Sequence, residues 1–280
     1  MDGSGPSRTA MGAAMHRAAH QLREGGSIFK DELALPIIGA EGRAALADWS
    51  EPAHRRPMRL FIAARHRFTE DKLAEAVMRG LRQVVVVGAG LDTTAARGRH
   101  AEQGVRYFEV DHPATQAFKR ERLAELGLAP AALTFAPVDF ERQSLGEGLD
   151  EAGFDAARPA FFIWLGVVPY LTEAAIMATL GFIAGGVPGA EVTFDYANPI
   201  EQLDPEVRAY HERGAERVAR IGEPWISFFD TADLAGRLRG LGATEIDDLG
   251  SLEMHTRIFR TAPSGRSGGG GHILWAKWPG

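Results

Sequence analysis

One segment, residues 84–97, VVVVGAGLDTTAAR, constrains this chain more than any other. With Gln83 before them, the four valines form a short all-apolar run of the kind buried on both faces of a parallel sheet. The run passes into Gly88-Ala89-Gly90 and then directly into residues with a helical pattern. Glycines there let the backbone turn sharply and let a ligand approach the main chain, and the helix N-terminus favours negative charge. A plain strand–turn–helix corner would use the same residues, so this segment alone leaves both readings open.

The same pattern recurs downstream. Short apolar runs at 106–110, 133–138, 160–165 and 191–194 read as strands, and helical stretches at 93–103, 113–126 and 172–184 separate them. Such alternation implies βαβ units and a doubly wound, mostly parallel sheet with helices on both faces. Ahead of it, 7–23, 41–49 and 60–79 read as helices, with Gly80 as a stop. After Tyr196 the chain is polar and helical through Arg220. A helix follows at 231–241, and 244–249, 257–259 and 272–278 read as late strands closing the sheet. The stretch 264–271, SGRSGGGG, reads as a flexible loop. Neither an internal repeat nor an interdomain linker is visible, so a single domain with an N-terminal helical appendage is expected.

Composition narrows the function classes. With 31 Lys+Arg against 37 Asp+Glu among 280 residues, the net charge of -6 argues against non-specific nucleic-acid binding. Cysteine is absent, which excludes disulfides, thiolate zinc sites and a cysteine nucleophile, and fits a reducing cytoplasm. No apolar run reaches the roughly 20 residues of a membrane helix. The first residues are too polar and basic for a signal-peptide core, and a cytoplasmic location is expected. His16, His20 and His112 form no metal-binding pattern, so no metal is expected. Lys119-Arg120-Glu121-Arg122 reads as a solvated helix face.

Two details select among nucleotide-like cofactors. The third glycine of a dinucleotide fingerprint, counted from Gly88, falls on Thr93, which weakens a nicotinamide reading. The next strand ends in Glu109-Val110-Asp111, about 20 residues downstream, where an acid accepts from ribose hydroxyls. A cofactor with a ribose but no pyrophosphate fits both, and S-adenosylmethionine is one. The third strand ends in Val138-Asp139-Phe140. An acid and an aromatic there suit an adenine amino group and ring, although Asp139 alone would read as a helix N-cap. Arg65, in Ala64-Arg65-His66-Arg67, offers a planar fork for a carboxylate, but a solvated charged face is the ordinary reading of such a cluster.

In order along the chain stand SRTAMGAAMHRAAHQ, AARHRFTEDKL, VVVVGAGLDTTAAR, YFEVDHPATQAFKRERL, PVDFERQSL, FFIWLGVVPYLT, FDYANP and GEPWISFF. On these motifs nearly the whole chain resembles the leucine carboxyl methyltransferase family, in its bacterial branch. The resemblance implies a Rossmann-like methyltransferase fold with seven strands, an N-terminal helical lid and inserted cap helices. It divides the single domain into a lid (1–80), a cofactor-binding core (81–198), a cap (199–230) and C-terminal strands (231–280). It also implies S-adenosylmethionine as cofactor. Arg65 would hold its carboxylate, Gly88, Gly90 and Asp92 would form the loop, and Asp111 would take the ribose, with Glu109 a second candidate. Asp139 and Phe140 would meet the adenine. Many relatives carry an acid and a glycine before the YL pair, and here Leu165 stands where that acid would be. Cofactor contacts at Leu165 are then backbone or apolar, or the acceptor differs.

Arg8, Arg17 and His20 are the expected lid residues, and Arg17, His20, Tyr170 and Tyr196 the candidates for touching the acceptor. For the tyrosines, simple packing with a satisfied hydroxyl is the commoner role. No base–acid pair stands out, so no catalytic residue is assigned. The expected activity is O-methylation of a small molecule, a carboxylate or phenol of secondary metabolism, by a monomer or homodimer without nucleic-acid or membrane partners. A protein C-terminal carboxylate is the alternative acceptor. A nicotinamide-dependent oxidoreductase and a non-catalytic nucleoside-binding protein are alternatives of other classes.

Overall fold

The computed structural model describes residues 7–48, 55–140, 142–261 and 270–280. Trp49, at the end of the second expected helix, and positions 264–269 of the glycine-rich loop lie outside the described residues. Helix α1 (Arg8–Arg23) is N-capped by the Ser7 hydroxyl, which accepts from Ala10 N–H. Two short helices follow, α2 (Ala34–Ile37) and α3 (Gly39–Ala47), then the long α4 (Arg55–Met78). The chain then alternates through β1 (Gln83–Val87), α5 (Thr94–Arg97), β2 (Arg106–Asp111), α6 (Pro113–Glu125), β3 (Leu133–Pro137), α7 (Leu145–Glu151), β4 (Ala160–Trp164), α8 (Glu173–Gly186) and β5 (Glu191–Ala197). Helices α9 (Pro205–Arg220) and α10 (Thr231–Gly240) precede β6 (Glu245–Leu249) and β7 (Gly271–Lys277). The seven strands are hydrogen-bonded in the order β3-β2-β1-β4-β5-β7-β6, mostly parallel with β7 antiparallel to its neighbours.

The chain divides into two compact units. The first comprises Met1–Arg67 with Ala74–Asp155. Its strands run parallel, with Val87 opposite Val110 and Asp111 opposite Pro137. All five residues of β1 are buried, as expected of a strand covered on both faces. A core of Ala14, Ala18, Ile37, Ile38, Leu91 and Leu123 joins α1, α2, the glycine turn and α6. The small alanines of α1 let that helix approach closely. The second unit comprises Phe68–Leu73 with Ala156–Gly280 and holds β4 to β7.

Several elements differ from expectation, the unexpected α2 and α7 among them. The helix expected over 93–103 is only α5, followed by a 3₁₀ turn at Ala101–Gln103. Gly98 adopts φ 51°, a left-handed conformation that ends the helix. The strand expected at 257–259 is instead part of a π-helical turn, Met254–Phe259. Arg257 is held there by Asp247, with Nη1 and Nη2 donating to the two carboxylate oxygens at 2.7 and 2.8 Å.

Candidate functional site

The first unit carries most of the expected site residues. After β1, Gly88 and Gly90 turn at φ 64° and 47°, conformations that side-chain-bearing residues rarely adopt. Gly88 and Ala89 donate their N–H groups to the Val110 carbonyl at 2.9 and 3.1 Å, so the turn folds onto the end of β2. A Cβ on Gly90 would stand 3.1 Å from Ala10 Cβ, so the turn also has to be small for α1 to pass over it. Asp111 closes the arrangement, accepting from Gly90 N–H at 2.5 Å and from His112 N–H at 2.7 Å. A carboxylate has about four lone-pair sites, so two remain for further donors such as vicinal hydroxyls. Burial raises the Asp111 pKa, and these backbone donors counter it.

Asp139 and Phe140 follow β3. Asp139 is not the N-cap of the next helix, because Ser144 takes that role in a capping box with Glu147. Its own carbonyl accepts from Arg142 and Gln143 N–H at 2.9 Å each, and its carboxylate stands 3.6 Å from Arg142. Phe140 is 55% exposed. An apolar ring left open beside a carboxylate at a strand's carboxyl end is a surface that a flat amino-bearing heterocycle would cover.

Arg65 and His66 are both buried on α4. The His66 ring stacks on Phe29 with centroids 5.3 Å apart, and its Nδ1 stands 3.5 Å from Asp92 Oδ2. Asp92 Oδ1 accepts from Thr94 N–H at 2.7 Å. Burial opposes ionisation of Asp92, but His66, Arg17, Lys119 and the Thr94 N–H outweigh it and hold the carboxyl well below its usual range. Burial pushes His66 well below 6.5, more than Asp92 can restore, so the pair is a neutral imidazole beside a carboxylate. Asp92 therefore acts inward, bracing the turn.

Three expected assignments are corrected in this unit. Arg17 is buried and committed: Nη2 donates to the Leu91 carbonyl at 2.5 Å and Nε to Asp31 at 3.3 Å. Asp31 also accepts from the Thr93 hydroxyl at 2.8 Å, which ties the start of the chain to α5. His20 is fully buried, its Nε2 accepting from Ile28 and Phe29 N–H and its Nδ1 facing Glu24 at 3.1 Å. Neither side chain is placed to touch an acceptor. Glu109 points into the unit's interior, 2.6 Å from Lys119 Nζ, and burial raises its pKa to about 7 despite that partner. It presents nothing to a ribose. Lys119 is correspondingly 1% exposed, so the expected solvated face does not include it. Arg8 heads α1 and is exposed.

The second unit holds the remaining candidates. Leu165 follows β4 and is half-buried, and the next residue, Gly166, donates its N–H to Asp195 Oδ1 at 2.5 Å. Tyr170 ends a 3₁₀ turn, Val168–Tyr170, and is half-buried. Tyr196 is corrected as an acceptor contact. Its hydroxyl bonds to Asp248 Oδ2 at 2.5 Å and to Thr231 at 3.2 Å, and its ring stacks on His272. Burial, then Asp248, pushes its pKa far above the ordinary phenol value.

Sequence reasoning missed His66, Asp31 and Lys119 as working residues. Their burial arises from packing between distant segments, and no local pattern marks it. The first unit also contains an apolar depression of about 280 Å³ lined by Leu123 of α6, Leu128 of the loop after it, and Leu133 and Phe135 of β3. Among the described residues no helix is long and apolar enough to cross a membrane.

Comparison with known proteins adds an independent line. Residues 10–184 match the family model described as leucine carboxyl methyltransferase. The "Putative S-adenosyl-L-methionine-dependent methyltransferase" of Mycobacterium avium (strain 104) is 32% identical over 285 residues, covering 91% of this chain and 89% of that protein. The "Putative S-adenosyl-L-methionine-dependent methyltransferase YktD" of Bacillus subtilis (strain 168) is 31% identical over 198 residues, covering 70% of this chain and 65% of that one. A crystal structure described as a putative methyltransferase from Thermobifida fusca YX shares the fold at TM-score 0.61 and 15% identity, over 100% of this chain and 97% of that one.

Proposed function

The chain belongs to the leucine carboxyl methyltransferase family of S-adenosylmethionine-dependent transferases, and we propose that it methylates an oxygen of a small molecule, in the first place a carboxylate. The residues of the first unit fit the cofactor. Asp111 keeps acceptor capacity for ribose hydroxyls, Phe140 and Asp139 offer a ring face and a carboxylate for adenine, and Arg65 supplies a guanidinium for the amino-acid carboxylate. The bound cofactor supplies a methyl group already activated on a sulfonium, so the protein mainly positions the acceptor and excludes water.

A single observation favours a carboxylate over a phenol. Tyr196, one of the two tyrosines that could have oriented an acceptor hydroxyl, is locked to Asp248 and Thr231. A carboxylate is ionised near neutral pH and needs no base, whereas a phenol requires one. A phenol of secondary metabolism is the second acceptor class in this proposal, and a protein C-terminal carboxylate the third. Action in the cytoplasm, as a monomer or homodimer without nucleic acid or membrane, belongs to the same proposal.

Calorimetric titration with S-adenosylmethionine, S-adenosylhomocysteine and NADH tests the cofactor, with Arg65→Ala as the variant. Micromolar binding of the sulfur nucleosides, weakened in the variant and absent for NADH, is expected. Labelled methyl transfer to panels of small acids, phenols and C-terminal peptides tests the acceptor. A methyl ester releases labelled methanol in alkali and an aryl ether does not. Label that survives alkali would reject the carboxylate.

A further inference from the structure

His66 is the strongest unassigned feature in the first unit. It is 3% exposed, and among the described residues its Nε2 is buried with no hydrogen-bond partner. A buried polar atom without a partner destabilises the fold, so its persistence calls for a partner that arrives from outside the chain. The surroundings specify the kind of partner. Asp92 is an acceptor only, so the imidazole turns its single N–H, on Nδ1, towards Asp92 Oδ2, 3.5 Å away. That leaves Nε2 as a lone-pair acceptor, and what it lacks is a donor. The nearby cations do not fill the role, because Arg17 and Arg97 are both turned on Asp31. Burial keeps the ring neutral, which preserves the lone pair.

Arg65 is the preceding residue on α4, and the glycine turn carries Asp92 two residues after Gly90. A ligand that puts a carboxylate on Arg65 brings with it whatever is attached to the adjacent carbon. In an aminoacyl sulfonium nucleoside that group is an ammonium with three N–H donors. We propose that His66 Nε2 accepts a hydrogen bond from the α-ammonium of the cofactor, with Asp92 positioning the ring and Phe29 fixing its plane. His66 thereby distinguishes the amino-acid form of the nucleoside from forms that lack the amine. This rests on the cofactor reading above.

The experiment is calorimetric titration of the full chain with three probes: S-adenosylhomocysteine, its deaminated analogue with hydrogen in place of the amine, and 5′-methylthioadenosine, which lacks the amino-acid end. Wild type is expected to bind S-adenosylhomocysteine about tenfold or more tightly than the deaminated analogue. His66→Phe, which keeps the stack on Phe29, is expected to lose that difference while binding 5′-methylthioadenosine within about twofold of wild type. His66→Gln, which retains an acceptor, is expected to recover part of it. Equal affinity of wild type for the amine and its deaminated analogue overturns the proposal, and that result needs no variant to fold. Equal weakening of all three probes by His66→Phe also overturns it, since a ring that only braces the turn or holds a water would act that way. If wild type binds no sulfur nucleoside at all, the cofactor reading fails and this inference goes with it.

Discussion

The Asp111 carboxylate accepts the main-chain N–H of Gly90 at 2.5 Å, so the end of β2 and the glycine turn after β1 form one bonded piece. The acid that would read the ribose also sets the shape of the turn. Asp111→Ala is expected to weaken S-adenosylhomocysteine binding at least tenfold, since it removes a charged acceptor and frees the turn. Calorimetry measures this directly. Unchanged affinity in a folded variant would show that Asp111 serves the turn alone.

The Glu109–Lys119 pair is enclosed on every side, at 0% and 1% exposure. Lys119→Met would leave a buried carboxylate alone and is expected to cost about 3–5 kcal/mol. The double variant Glu109→Leu/Lys119→Met should recover most of that, because no charge remains to be desolvated. Urea unfolding of the three proteins gives the comparison, and a double variant as weak as the single one would refute it.

Tyr196→Phe removes the hydroxyl bonded to Asp248 and Thr231. A stability loss of about 1–2 kcal/mol is expected, with turnover unchanged at temperatures where the variant is folded. A fall in kcat at unchanged Tm would return Tyr196 to the acceptor site.

Asp247 lies between Lys72, at 2.8 Å, and Arg257, at 2.7 Å. The Arg257 hydrogen bonds, and then Lys72 against the cost of burial, lower its pKa from 3.8 to about 2. A carboxyl with a depressed folded pKa contributes stability above its unfolded value and loses it as pH falls through the folded one. The contribution is therefore present above about pH 4 and lost towards pH 2, and solvent around the pair limits it to about 1 kcal/mol. Asp247→Asn should flatten the stability profile across that window and be less sensitive to salt. Parallel acid-unfolding curves for variant and wild type would contradict this.

Much of the fold was legible because it is written in local pattern. The valines of β1, Ser7 before α1 and Thr172 before α8 announce their elements within a few residues. Ser144 and Glu147 form a capping box as plain in sequence as any of these, yet α7 was not expected. Gly98, whose φ of 51° ends α5 after four residues, is a local stop of the kind a glycine marks in sequence. Arg257 could not be read locally, because the carboxylate that holds it in the π-helical turn, Asp247, stands ten residues away.

By itself, the sequence determined the order of strands and helices, the glycine turn and the acids that end β2 and β3. Those features depend on neighbours a few residues apart, and short-range sterics and hydrogen bonding make them visible in the chain. Tertiary structure alone decided which charged side chains would be buried. Lys119 reads as solvated and is enclosed, Arg17 and His20 read as ligand contacts and became internal braces, and His66 reads as part of a charged face and became a buried acceptor. Burial and partner choice follow from which distant segments meet, and a desolvated charge or lone pair acquires its chemistry only after they do.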